Sequence, residues 1–337
     1  LEKVEEILDR VIPAGAEGAW GNRVSGAADT AIPAEAYGLI NAPARDLLGR
    51  GGKRWRPVLM SFCCELCGGG EAALPFTPLV ELPHNGSLII DDIEDSSDTR
   101  RGRPAVHLLH GLDMAINTGN FLYFLPQVLI DESHLPAEQK YRLFSLHAEA
   151  LRRLHLGQGL DIQWHRDPGT YPSRAAYLRM CRFKTGSLAS LAGQAGAILA
   201  GASGETRELL GRLMEDLGVA FQIIDDVTNL TTGNPGKDRG DDIVEGKKSL
   251  PVILLAEKDP SSRGVLSDLF LRARGMGIRE GRVVVEEAIG LMDRGGTIDE
   301  ARKEAVEMLH GVRNTLTERF QASPAREAVE ELLASFL

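Results

Sequence analysis

HNGSLIIDDIEDSSDTRRG, His84 to Gly102, places five acids within the eight positions Asp91 to Asp98 and follows them with two arginines. Leu88, Ile89 and Ile90 come just before the first Asp. On a helix, Asp91 and Asp95 share a face one turn apart, and Asp92 lies about 100° around. Carboxylates stacked in this way repel one another. At the end of a helix they also oppose the macrodipole. Gly102, with Pro104 beyond it, reads as the left-handed end of that helix. Such a cluster is stable when a cation sits in it, and oxygen-only ligands of this kind suit Mg²⁺ shared with phosphates. The competing reading is a solvated, charged helix end.

A second cluster shifts the balance toward the cation. FQIIDDVTN, Phe221 to Asn229, repeats the pattern of an apolar run followed by paired acids. Asp225 and Asn229 are one turn apart, with Asp226 adjacent. Asp238, Asp241 and Asp242 follow in a Gly-rich stretch, TTGNPGKDRGDDIVEGKK (231–248), which is a candidate lid. Basic groups accompany each cluster. GGKRWRP (Gly51–Pro57) sets Lys53, Arg54 and Arg56 at a helix start. Arg100 and Arg101 end the first acidic segment, Lys184 and Thr185 lie mid-helix, and Lys237, Lys247 and Lys248 lie in or beside the Gly-rich stretch. A metal-bound diphosphate needs both signs of charge.

The rest of the chain bounds the fold. Its 337 residues are 43% hydrophobic and 26% charged, with 5% aromatics and a net charge of −10, a poor balance for non-specific nucleic-acid binding. Low aromatic and high Ala and Leu content favours helix. Helices are expected at 57–67, 75–100, 112–131, 136–165, 173–201, 204–232, 248–258, 263–274, 280–293, 297–320 and 324–337. Pro78, Pro83 and Pro126 lie in or near these helices, and each removes an amide donor. Residues 1–12 read as an amphipathic helix and 13–36 as a loosely ordered arm, leaving 37–337 as one all-α domain. Cys63, Cys64, Cys67 and Cys181 show no disulfide framework, which fits a reducing cytoplasm. Cys64 and Cys67 lack the further ligands of a zinc site. His107 and His110 have no acidic partner motif. Gln158 and Asp161 line either a cavity or a structural contact. No apolar run is long enough for a membrane span, and the acidic LEKVEEILDR is unlike a signal peptide.

These motifs, in order and spacing, resemble those of the trans-prenyl diphosphate synthases (the polyprenyl synthetase family). GGKRWRP looks like GGKRxRP, DDIEDSSDTRRG like DDxxD followed by RRG, and KT, FQIIDD and GKDRGDDIVEGKKSLP match further along. HNGSLIIDDIED, GQGLDIQW and FQIIDDVTNL look most like the geranylgeranyl diphosphate synthases. The resemblance implies a single-domain helical bundle of the isoprenoid synthase type around a central cavity. It implies head-to-tail transfer of an allylic group to isopentenyl diphosphate with Mg²⁺, three ions per site. Asp91, Asp92 and Asp95 would bind Mg²⁺ on the allylic diphosphate, and Asp225 a further ion from the opposite wall, supported by Asp226 and Asp242. Arg100, Lys184, Lys247 and Lys237 would hold the allylic diphosphate, and Lys53, Arg54, Arg56, His84 and Arg101 would hold isopentenyl diphosphate. Thr185 and Gln222 would present oxygens near the allylic cation. The second motif departs from DDxxD at Asn229, an amide expected to support the site without binding the ion. Small residues at Gly86 and Ser87 leave the wall below the first motif open, so a twenty-carbon product is expected, with a floor at Phe121, Tyr123 or Phe124. The family also implies a homodimer, while the acidic charge balance speaks against a nucleic-acid partner. A class I terpene cyclase, a non-catalytic synthase subunit, and a fifteen-carbon or longer-chain enzyme are the alternatives.

Overall fold

The computed structural model describes residues 1–15, 18–26, 33–233 and 238–336. Lys237 therefore lies outside the described residues. The chain is all-α and sorts into two compact units, Leu1–Leu151 with Leu191–Gly211, and Arg152–Ser190 with Arg212–Leu337. The boundaries fall inside helices.

The first unit opens with α1 (Glu2–Val11), α2 (Gly18–Ser25), α3 (Ala34–Gly49), α4 (Trp55–Leu66) and α5 (Pro78–Glu94). It continues with α6 (Val106–His110), α7 (Leu112–Phe124), α8 (Gln127–Glu132) and the start of α9 (Ala137–Arg166). Residues 16–17 and 27–32 of the arm expected over 13–36 lie outside the described residues, and the described part carries helix. Helix α2 lies within it and α3 begins before its end. Trp20 anchors the segment by donating its indole N–H to the Val11 carbonyl at 2.9 Å and packing edge-on against Tyr37, with ring centres 5.7 Å apart. Helix α1 buries Val4, Ile7, Leu8 and Val11 in the same core as Leu82, Ile89 and Leu122. A single large aromatic supplies this order, and a lone anchor leaves no periodic signal.

The helix expected over 75–100 ends at Glu94, with Asp95 as its C-cap. Beyond it, Thr99–Arg100 and Arg103–Pro104 pair as a short antiparallel hairpin. Arg101 and Gly102 form its turn, both with positive φ, the signature of a primed hairpin turn. Gly102 thus turns a hairpin and does not cap the helix. Helix α5 runs through Pro83 unbroken. The helix expected over 112–131 is divided at Pro126, which becomes the N-cap of α8. Helices α5 and α7 cross closely at a pair of glycines. A Cβ on Gly86 would lie 2.7 Å from the Gly119 carbonyl oxygen.

The second unit contains the end of α9, α10 (Arg174–Cys181), the start of α11 (Ser187–Leu199) and most of α12 (Gly204–Thr231). It ends with α13 (Asp241–Glu245), α14 (Leu250–Lys258), α15 (Ser262–Glu280), α16 (Arg282–Arg294), α17 (Thr297–Arg319) and α18 (Pro324–Ala334). Ser173 and Ser323 cap α10 and α18, their hydroxyls accepting from Ala176 N–H and Arg326 N–H. Arg182–Gly186 is a π-helical turn between α10 and α11.

His147 on α9 has no exposed surface, and its Nδ1 meets the Gln127 amide at 3.3 Å. Burial pushes its pKa down from 6.5 to about 4. Between those values the unfolded chain takes a proton that the folded chain refuses, so acid favours unfolding. Stability falls as pH drops from about 6.5 to 4, by at most about 3 kcal/mol from this group. Urea titrations at several pH values should show a shallower loss for His147→Gln than for the parent over that window.

Candidate active site

In the first unit, Asp91 and Asp92 sit at the C-terminal turn of α5. The Asp92 carboxylate is buried, and Arg100 grips it through Nε at 2.7 Å and also through Nη2. Asp91 lies 3.7 Å from the same guanidinium. Asp95 closes the helix, its N–H donating to the Asp91 carbonyl at 2.9 Å. The hairpin therefore folds an arginine back onto the acids that precede it, and the cluster carries one cation of its own.

The basic residues gather nearby in the same unit. His84 on α5 is half-buried. Burial, then Arg56, Arg101, Arg100 and Arg54, hold its pKa well below the ordinary value. His84 is thus a neutral hydrogen-bonding group beside several cations. Arg101 is pushed down to about 10 by burial and by Arg54. Its Nη1 donates to the Leu47 carbonyl at 3.1 Å and to the Gly51 carbonyl. Arg56 is buried and stacks on Trp55, 4.3 Å from the ring centre, while Lys53 is exposed. Arg54 differs from these. Its buried guanidinium is directed at Glu5, Glu81 and the Leu48 carbonyl, so the diphosphate role expected from the sequence is not carried forward for it.

Two parts of the expected chain-length wall are engaged elsewhere. Gly86 is filled by the close approach of α7. Phe121 packs edge-on against Trp20 with ring centres 6.5 Å apart, on the core of the N-terminal helices. Ser87 is half-buried and donates its hydroxyl to the His84 carbonyl.

In the second unit the π-helical turn carries Lys184 and Thr185. Such turns recur at functional sites because they re-aim side chains without ending the helix. Lys184 Nζ meets Asp161 Oδ2 at 2.6 Å. Thr185 donates to Gln222 Oε1 at 2.7 Å, and Gln222 Nε2 donates to Asp226 Oδ1 at 3.1 Å. Tyr177 and the Leu250 N–H donate to the other Asp226 oxygen at 2.6 Å and 3.2 Å. Burial raises Asp226 to about 6, opposed by Tyr177 and Gln222. Its two oxygens are turned inward, so Asp226 braces the site, and the half-buried Asp225 is the metal candidate of the pair. Asn229 is fully buried. Its main-chain oxygen takes the Gly240 N–H at 2.9 Å and its side chain meets the Asp242 N–H at 3.4 Å. The KK pair divides. Lys247 faces Glu245 at 2.5 Å and Asp242 at 3.6 Å. Lys248 is buried 5.1 Å and 4.9 Å from the ring centres of Tyr171 and Phe270, and burial lowers its pKa to about 8. The described part of the candidate lid is therefore anchored through α13 and Lys248.

Sequence reading left Asp161 undecided and missed Tyr177 and Gly157. Asp161 pairs with Lys184. A Cβ on Gly157 would lie 2.3 Å from the Lys184 nitrogen, so α9 can approach the π turn only with glycine there. No single-sequence signal marks such a contact, because it depends on a partner 27 residues away.

Among the described residues, no three His, Cys, Asp or Glu side chains converge enough to hold a metal ion by themselves. The donors do fit Mg²⁺ shared with a substrate. They are all oxygens, and Mg²⁺ commonly takes one or two carboxylates while phosphates and water complete its shell.

Acid clusters set beside arginines and lysines on an all-α frame suit an enzyme that handles a phosphate ester together with a divalent metal. The polyprenyl synthetase family model matches residues 38–280, and the chain belongs to that family. The geranylgeranyl pyrophosphate synthase of Eremothecium gossypii is 36% identical over 279 residues, covering 80% of this chain and 86% of the relative. The geranylfarnesyl diphosphate synthase of Aeropyrum pernix is 33% identical over 301 residues, covering 80% and 92%. The crystal structure of geranylgeranyl pyrophosphate synthetase from Pyrococcus horikoshii superposes with a TM-score of 0.82 at 29% identity, covering 98% of each chain.

Gly157→Ala should move the turn that carries Lys184 and Thr185. We expect a stability loss of about 1–3 kcal/mol from overpacking and a fall in kcat of roughly tenfold or more from misplacement. Gly159→Ala, with open space around its Cβ, should leave both near the parent values in parallel melts and steady-state assays.

Proposed function

We propose that the protein is a Mg²⁺-dependent synthase that joins isopentenyl diphosphate to an allylic diphosphate and makes geranylgeranyl diphosphate. The observation that carries this reading is the pairing of acids with their own cations in each unit, Asp91 and Asp92 with Arg100, and Asp242 with Lys247. A binding surface for diphosphate alone would need only the cations. A site that also takes divalent metal needs the carboxylates, held apart from each other by charge.

Asp91, Asp92 and Asp95 are assigned to Mg²⁺ in the first unit, with Asp92 also holding Arg100. Asp225 is assigned to Mg²⁺ in the second, with Asp226 and Asp242 in support. Bound Mg²⁺ would neutralise the leaving diphosphate so that the allylic C–O bond ionises. Arg100, Lys184 and Lys247 bind the allylic diphosphate, and Lys184 is oriented by Asp161. Lys53, Arg56 and Arg101 bind isopentenyl diphosphate, and neutral His84 contributes a hydrogen bond without a charge. Thr185 donates its hydroxyl hydrogen bond to Gln222, which leaves its oxygen lone pairs for the electron-poor allylic carbons. The alkene carbon of isopentenyl diphosphate attacks, and the released diphosphate is the base that removes the proton. The names of the relatives support a twenty-carbon product, and one of them supports a longer chain as the second reading. Exposed Leu108, Leu109, Leu112 and Ile116 on α6 and α7 support a homodimer. Four free thiols support a cytoplasmic setting. No described helix is long and apolar enough to cross a membrane.

Labelled isopentenyl diphosphate, incubated with dimethylallyl, geranyl or farnesyl diphosphate, should give a twenty-carbon alcohol after phosphatase treatment, and EDTA should abolish it. A product of twenty-five or more carbons would support the second reading. Cyclic hydrocarbon made without isopentenyl diphosphate would identify a cyclase, and no turnover with any primer would identify a non-catalytic subunit. Asp91→Ala should lower kcat by about a thousandfold, as loss of charge stabilisation at the ionising bond requires.

A further inference from the structure

We propose that α1 is a working part of the isopentenyl diphosphate subsite, acting through Glu5 on Arg54. This rests on the assignment of Lys53 and Arg56 to that substrate. Arg54 has φ +48°, a left-handed conformation that a long side chain rarely holds. Something must hold it there, and three partner residues do. Nε donates to Glu5 Oε1 at 2.8 Å, Nη1 to Glu81 Oε1 at 2.8 Å and Nη2 to the Leu48 carbonyl at 2.8 Å. Only 1% of the Arg54 side chain is exposed, so little water competes with these bonds. Glu81 on α5 is fixed in turn by Asn85 Nδ2 at 2.8 Å.

The geometry decides what this does. Arg54 is flanked by Lys53 and followed by Arg56, and its carbonyl accepts the Val58 N–H at 3.3 Å as α4 begins. The left-handed residue therefore sets the direction in which the chain enters α4. Lys53 thus precedes the turn into the helix, and Arg56 lies in the helix's first turn. The planar guanidinium fork is needed to reach two carboxylates and a carbonyl at once. Glu81 and Leu48 belong to the body of the unit. Glu5 is supplied by the N-terminal helix and stays half-exposed, so it can be changed without opening the core. Glu5 and Arg54 are positioning residues in this scheme, and neither contacts substrate.

The test varies one substrate at saturating levels of the other in the full-length protein. Lys53→Ala comes first, and must raise the KM for isopentenyl diphosphate. If it does not, the subsite assignment fails, whatever Glu5 does. Given that rise, Glu5→Ala should raise the same KM by about fivefold, with kcat and the allylic KM within about twofold of the parent. Arg54→Lys, which lacks the fork, should do at least as much. The double variant should match Arg54→Lys alone, because Glu5 acts only through Arg54. An unchanged KM in folded Glu5→Ala overturns the proposal. So do losses in all three constants that follow the fall in melting temperature, since these would mark a purely structural contact.

Discussion

A carboxylate buried without compensation is among the most costly features a helix can carry, and Asp226 determines how the second unit is built. Its oxygens receive Tyr177 from α10, Gln222 from its own helix and the Leu250 N–H from the first turn of α14. Satisfying one acid therefore fixes three helices. Gln222, held by that acid through its amide nitrogen, turns its carbonyl oxygen to the Thr185 hydroxyl. The π-helical turn that presents Lys184 is thus tied to the same network. The adjacent acids of the second motif divide their labour. Asp226 organises the framework, and the half-buried Asp225 is the one proposed for the metal.

The first unit solves the complementary problem. There the buried charge is a guanidinium, and Glu5, Glu81 and a carbonyl satisfy it. Arg101 is treated in a similar way, with its Nη1 shared between the Leu47 and Gly51 carbonyls. Cations that hold backbone carbonyls fix the glycine turn from both sides. Arg50 adds a bond to the Arg100 carbonyl at 2.9 Å. The hairpin and the glycine turn, about fifty residues apart in sequence, are joined by these arginines.

The helical class and most helix positions were legible in the sequence, because composition and apolar periodicity report directly on helices that bury one face. The acid clusters and their order were legible for the same local reason. What escaped was set by partners distant in the chain. The placing of α2 depends on Trp20 meeting Tyr37 and Phe121. The end of α5 at Glu94 depends on a hairpin that turns Arg100 back onto Asp92. Arg54 reads as a ligand beside Lys53 and Arg56, and only its contacts with Glu5 and Glu81 show that it serves the framework. Gly86 reads as an open wall, although α7 occupies the space that a side chain would have taken.

The departure at Asn229 follows from the same constraints. This position has no exposed surface and lies one turn beyond Asp226, already a buried acid raised to about 6. A second carboxylate there would add like charge where water cannot screen it. An amide keeps the acceptor that meets the Asp242 N–H and carries no charge. Asp242 is thereby held at the start of α13, where its carbonyl accepts the Lys247 N–H at 2.8 Å. Asp225 and Asp242, by contrast, keep some exposure, as do Asp238 and Asp241. The amide also keeps the segment that carries Lys247 anchored to α12. The motif loses one formal ligand and gains a clamp, which is the more useful trade at a position buried too deeply to reach a metal through water.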